Sequence, residues 1–223
     1  MGFLDDLKRQ ADAVTARQQT DGAALARNTQ LADAACKTVS SYFTTLAPQL
    51  NVLKPRSAGR FLLDRQHSFD GLPLTGFRAD ARRKRVRDEE VFDHVVLHWQ
   101  MQSGRRIELA KDFLPEIERT ESRLRQSGAE IDTETVRNPA NGNLQQMRYR
   151  FQADFVGYVR VTPDHDNARL RFLLVNIDGF ESVTVDFAAF DVGSAKLDEL
   201  ARWLVGQPQK FLADGVDVKR IEA

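Results

Sequence analysis

The stretch Val91–Met101, VFDHVVLHWQM, constrains the fold more than any other part of the chain. Val91, Val95, Leu97, Trp99 and Met101 fall on odd positions, with Asp93 the one polar exception, and Phe92, His94, Val96, His98 and Gln100 fall on even ones. Period-two alternation in β-branched and aromatic residues marks a long strand, apolar on one face and mixed on the other.

A second stretch repeats the pattern. From Met147 to Val161 the odd positions Met147, Tyr149, Phe151, Ala153, Phe155, Val159 and Val161 are apolar, whereas the even ones carry Gln146, Arg148, Arg150, Gln152, Asp154 and Arg160. This predicts a strand with one core face and one wet face, and Gly157 suggests a bulge within it. Phe77–Arg87 is expected to run antiparallel to the central strand. GLPLTG before it reads as loop, and Gln102–Ser103–Gly104 after the central strand reads as a turn leading into a short return strand, Arg106–Ala110. Further strands are expected at Arg60–Leu63, Glu130–Val136, Leu170–Ile177, Val183–Ala189 and Val216–Ile221, the third of them apolar at both parities and so covered on both faces. An odd loop length between Glu130–Val136 and Met147–Val161 sets Asp132 and Glu134 against Arg148 and Arg150 and keeps all four off the core face.

Helices are expected before and between these strands in the chain. One has Asp112 as its cap, Pro115 in its first turn and Gly128 as its stop; another has Ser194 as its cap and a stripe of Leu197, Leu200, Ala201 and Leu204. The amino-terminal region to about residue 47 is helical by pattern. Leu4, Leu7, Ala11 and Val14 follow heptad spacing, the seam lapses at Gln18 and Asp21, and it resumes through Leu25, Leu31, Ala35, Val39, Tyr42 and Leu46. Asp21–Gly22 suggests a break and Pro48 an end. So thin a stripe suits pairing with a second copy or a partner, or capping of the chain's own sheet.

The fold class is therefore α+β: a large, twisted antiparallel sheet with two helices on one face and an N-terminal helical arm. The division expected is an arm over residues 1–50 and a sheet domain over residues 51–223.

Composition narrows the function classes. With 32 basic and 32 acidic residues there is no overall field to draw in nucleic acid or an anionic membrane. No apolar run is long enough to span a bilayer, the acids in MGFLDDLKRQ do not suit a signal peptide, and Asp6 breaks the acylation pattern that begins at Gly2. A cytoplasmic protein is the expectation. Cys36, the single cysteine, excludes an internal disulfide and reads as a helix contact.

Three places carry candidate chemistry. His94 and His98 share a strand face about 13 Å apart, too far for one metal ion, yet with Tyr158 they form a candidate ligand-binding group on the mixed face. Arg82, Arg83, Lys84, Arg85 and Arg87 make five bases in six residues, a candidate anion-binding edge; basic residues also protect an exposed sheet edge from unwanted pairing. Asp164, His165 and Asp166 are ligand types at a hairpin tip, where turn chemistry accounts for them equally well. No nucleophile with a base, metal cluster or glycine-rich phosphate loop is legible, and no cofactor is implied. The expectation is a soluble, non-catalytic interaction or assembly module that contacts a second copy or a partner protein through residues 3–46. The alternatives are a small-molecule binder or enzyme with a pocket between sheet and helix, and nucleic-acid contact through the basic edge.

Overall fold

The computed structural model describes residues 3–223, with the side chains of residues 8–10 and 21–223. Helix α1 (Phe3–Leu53) precedes a short hairpin, β1 (Arg60–Leu62) and β2 (Ser68–Asp70). Then come β3 (Leu74–Val86), β4 (Glu89–Lys111), α2 (Leu114–Ser127), β5 (Ile131–Arg137), β6 (Leu144–Asp164), β7 (Arg169–Val175), β8 (Glu181–Ala188), α3 (Ser194–Leu204) and β9 (Val216–Glu222). The architecture is α+β, built on an antiparallel seven-stranded sheet in the order β3-β4-β6-β7-β8-β9, with β5 also paired to β6.

Strand β6 organises the sheet. One edge pairs with β4 from Met147 to Val161, and the other is shared, by β5 up to Phe151 and by β7 from Tyr158. The carboxy end of α2 fills the gap: Asn176 Nδ2 donates to Gln126 O (2.8 Å) and to Val156 O (2.7 Å). As the alternation requires, Val95, Leu97, Trp99 and Met101 lie buried beside Phe155, Val159 and Val161, and Asp132 and Glu134 face Arg150 and Arg148 across the β5–β6 pair. Leu124 of α2 and Leu197, Leu200 and Leu204 of α3 join the same core, as do Phe61 and Phe69 of the hairpin, whose rings pack on Phe155.

Several local expectations are corrected. Gln102–Gly104 does not turn the chain. It is a bulge inside the 23-residue β4, where Ser103 N and Gly104 N both donate to Asp154 Oδ1. A side chain from the facing strand thus satisfies the backbone that a turn would have satisfied. Leu74–Gly76 begin β3 and are not loop; Gly76, at φ +63°, sits where the β3–β4 register shifts. Gly157 does not bulge. It lies opposite Trp99, and a Cβ there would stand 2.4 Å from the indole. Asp93, the exception in the central alternation, is the extra residue of a bulge between the Arg82↔His94 and Arg83↔Phe92 pairs. Strand β7 is wet on one face at its start, where Arg169 and Arg171 are exposed. The caps move by one residue, to Phe113 for α2 and Gly193 for α3, whereas Gly128 ends α2 in the left-handed conformation expected of it.

Helix α1 is unbroken. A single exposed glycine costs only about 1 kcal/mol in a helix, so Asp21–Gly22 does not interrupt it. Pro48 does not end it either. Beyond Pro48, Leu50 is buried and Asn51 makes two 2.8 Å hydrogen bonds with Phe77, donating to its carbonyl and accepting from its N–H. That anchoring offsets a proline penalty of about 3 kcal/mol. From Thr29 onward the helix lies on the core face, burying Ala32, Ala35, Cys36, Val39, Phe43, Ala47 and Leu50. Leu31, placed on the seam by heptad counting, is instead exposed. The seam positions Leu4, Leu7, Ala11 and Val14, and Gln18 where the seam lapses, have side chains outside the described ones, and Met1 and Gly2 lie outside the described residues altogether.

Candidate functional site

The three mixed-face residues stand on the side of the sheet opposite α1. His98 is registered against Tyr158 on β6 and Arg78 on β3. Arg78 Nε donates to His98 Nε2 at 2.8 Å, which requires that nitrogen to be an acceptor. Burial, then the Arg78 charge, lower the His98 pKa, with Asp80 opposing. His94 belongs to a different network: its Nδ1 lies 2.8 Å from Asp93 Oδ2 and 3.1 Å from Arg160 Nη2. The Asp93 carboxyl is held below the usual range, first by its hydrogen bond with His94 and next by Lys84. The structure thus brings His98 and Tyr158 together and leaves His94 with Asp93 and Arg160.

The five bases divide in the same way. Lys84 pairs with Asp93 at 3.2 Å and Arg85 with Asp88 at 3.7 Å. Arg83 covers the Phe92 ring at 4.5 Å, and Arg82 faces His94 across the strand pair. Arg87 joins three elements, donating to Asp166 at the β6–β7 tip and to Thr29 of α1. At that tip the Asp-His-Asp residues are tied into the fold. Asp164 takes the N–H groups of Asp166 and Asn167, while buried His165 sets Nε2 2.9 Å from Phe92 O. Cys36 is fully buried, and burial followed by Asp33 pushes its thiol up to about 12, the behaviour of a packing residue.

A cleft of about 410 Å³ opens elsewhere, between the β1–β2 turn, the end of β4 and α2. Asp64 lies at its base with its side chain 12 % exposed. Oδ1 accepts from Gln66 N (2.8 Å) and His67 N (2.8 Å) and lies 2.9 Å from His67 Nδ1. Oδ2 is 2.9 Å from Lys111 Nζ. Burial raises the Asp64 pKa, but Lys111 and the donors of Gln66 and His67 outweigh it and hold the carboxyl well below the usual range. Around this pair stand Arg65, Glu116, Arg119 and Arg123. Arg123 is fixed by donating to Leu63 O and Ala223 O, both at 3.0 Å.

The sequence reading did not assemble this site, because its residues come from three elements scattered over sixty positions. The local signal that was visible is Arg119 and Arg123, four apart on one face of a predicted helix. Among the described residues no group of three or more His, Cys, Asp or Glu side chains is placed to hold a metal ion, and no helix is long and apolar enough to cross a membrane.

Neither a family model, nor a curated protein, nor a solved structure matches this chain. The fold and its surfaces therefore carry the functional reading.

Proposed function

We propose that the protein is an assembly module in which the amino-terminal half of α1 pairs with the same segment of a second copy. The observation that carries this reading is the division within α1. The helix is continuous over 51 residues, about 76 Å of axis, yet the first buried side chain among the described ones is Thr29. The described side chains before it, Lys8–Gln10 and Asp21–Asn28, are exposed or only partly covered. In that half the sequence places Leu4, Leu7, Ala11 and Val14 at heptad spacing. A helix of some 25 residues gains little stability in water from propensity alone and draws most of it from burying an apolar stripe. A second copy offers the same stripe at the same spacing, so a two-fold pair covers both at once.

Light scattering after size exclusion tests this on the full chain. The expected result is a dimer or larger species that becomes monomeric in the double variant Leu7→Ser, Val14→Ser. A wild-type chain that stays monomeric at the highest concentration reached would overturn the reading.

A further inference from the structure

We propose that the cleft between the β1–β2 turn, the end of β4 and α2 binds a small molecule through an oxyanion, a phosphate or a carboxylate, held by Lys111, Arg119 and Arg123. This adds a binding site to the assembly reading and does not depend on it.

The argument starts from charge. Four cationic side chains, Arg65, Lys111, Arg119 and Arg123, line the cleft against two carboxylates, Asp64 and Glu116. Asp64 is already engaged on both oxygens: Gln66 N–H, His67 N–H and the His67 ring meet one, and Lys111 meets the other. Glu116 is 3.7 Å from Lys111 Nζ and close to half exposed, a weak, solvent-screened partner. The side chains of Arg65 and Arg119 have neither an ion pair nor a hydrogen bond among the described residues. The positive charge of the site is thus not cancelled from within.

Preorganisation is the second part. Lys111 is only 17 % exposed, and among the described residues Asp64 is its one side-chain partner within hydrogen-bonding distance, so its ammonium keeps donors uncommitted. Arg123 has Nε and one Nη spent on backbone carbonyls, which fixes the plane of the guanidinium and leaves the N–H groups of its other Nη. Arg119 lies one helical turn from Arg123 on the same side of α2, beside the buried Thr120. A fixed guanidinium, a sheltered ammonium and an exposed second guanidinium recognise an oxyanion together, the guanidiniums by fork-shaped hydrogen bonds and the ammonium as a point charge. A space of about 410 Å³ lies within the range of small-molecule sites, at the lower end. The cleft is also a pocket between sheet and helix, although none of His94, His98 and Tyr158 lines it.

The test is a titration of the full chain, followed by backbone amide chemical shifts, with inorganic phosphate, with acetate, and with chloride at matched ionic strength. Phosphate is expected to move the amides of residues 64–67, 110–112 and 116–123 beyond the chloride control. Movement with phosphate alone assigns a phosphate-bearing ligand, and movement with both anions assigns oxyanions in general; either supports the site. Arg119→Gln removes an exposed side chain without partners, so the fold is retained, and it is expected to weaken phosphate binding about tenfold. Glu116→Gln removes the carboxylate that weakly screens Lys111 and is expected to tighten it. Shifts no larger than with chloride, or phosphate shifts unaltered in Arg119→Gln, would overturn the proposal.

Discussion

Between Thr29 and Leu50, α1 sets eight side chains into the core of the sheet, whereas between Lys8 and Asn28 every described side chain is exposed or half-exposed. One helix therefore obeys two sets of rules. In the carboxy-terminal half, tertiary packing decides. Phe43 and Val39 are sealed, Asn51 is pinned to Phe77, and a proline that would stop an isolated helix is carried through. In the amino-terminal half the backbone is equally helical, yet its own sheet does not bury the side chains described there. The comparison teaches that helicity alone does not report where a segment's stability comes from.

Three changes and one control probe the difference, in decreasing order of expected effect. Phe43→Ala opens a cavity beneath the sheet and is expected to cost about 3–5 kcal/mol, read as a fall in the midpoint of denaturant unfolding. A loss below about 1 kcal/mol would mean that the carboxy-terminal half is not the part the core depends on. Asn51→Ala leaves the partly buried N–H and C=O of Phe77 without their partners and is expected to cost about 1–3 kcal/mol, with faster amide exchange confined to the last turns of α1 and to β3.

Acid supplies a control that touches neither half. The pKa of Asp64 is depressed in the folded chain, so its contribution is present above the unfolded carboxylate value of about 4 and is lost as pH falls toward the folded one. Thermal midpoints measured from neutral pH to about 2 are expected to fall less steeply in Asp64→Asn than in the wild type. The smallest stability effect belongs to Leu7→Ser, Val14→Ser: the unfolding of the sheet core is expected to shift by no more than about 0.5 kcal/mol while the oligomeric mass changes.

Much of the sheet was legible in the sequence because alternation is a local signal. Val95 to Met101 and Tyr149 to Val161 each state their own face, and the placing of Asp132 and Glu134 against Arg150 and Arg148 follows from parity alone. What sequence reading misassigned depends on a partner from elsewhere. The Gln102–Gly104 bulge is stabilised by Asp154, Gly157 is required by Trp99, and Pro48 is tolerated because of Phe77, each supplied by a distant strand. The cleft was hidden for the same reason. Asp64, Lys111 and Arg123 are unremarkable charges until three elements bring them together. Of the five bases between Arg82 and Arg87, the sharpest charge feature in the sequence, four are divided in the fold among Asp93, Asp88, Asp166 and the Phe92 ring.

Amide hydrogen exchange along α1, in the wild type and in Leu7→Ser, Val14→Ser, tests the central claim most directly. Amides from Thr29 to Leu50 are expected to exchange only with global unfolding in both proteins. Those from Leu7 to Arg27 are expected to be protected in the wild type, to lose protection on dilution below the dissociation constant, and to be unprotected in the variant at every concentration. Protection of the amino-terminal half that survives both dilution and the double substitution, or that is absent from the concentrated wild type, would contradict the account.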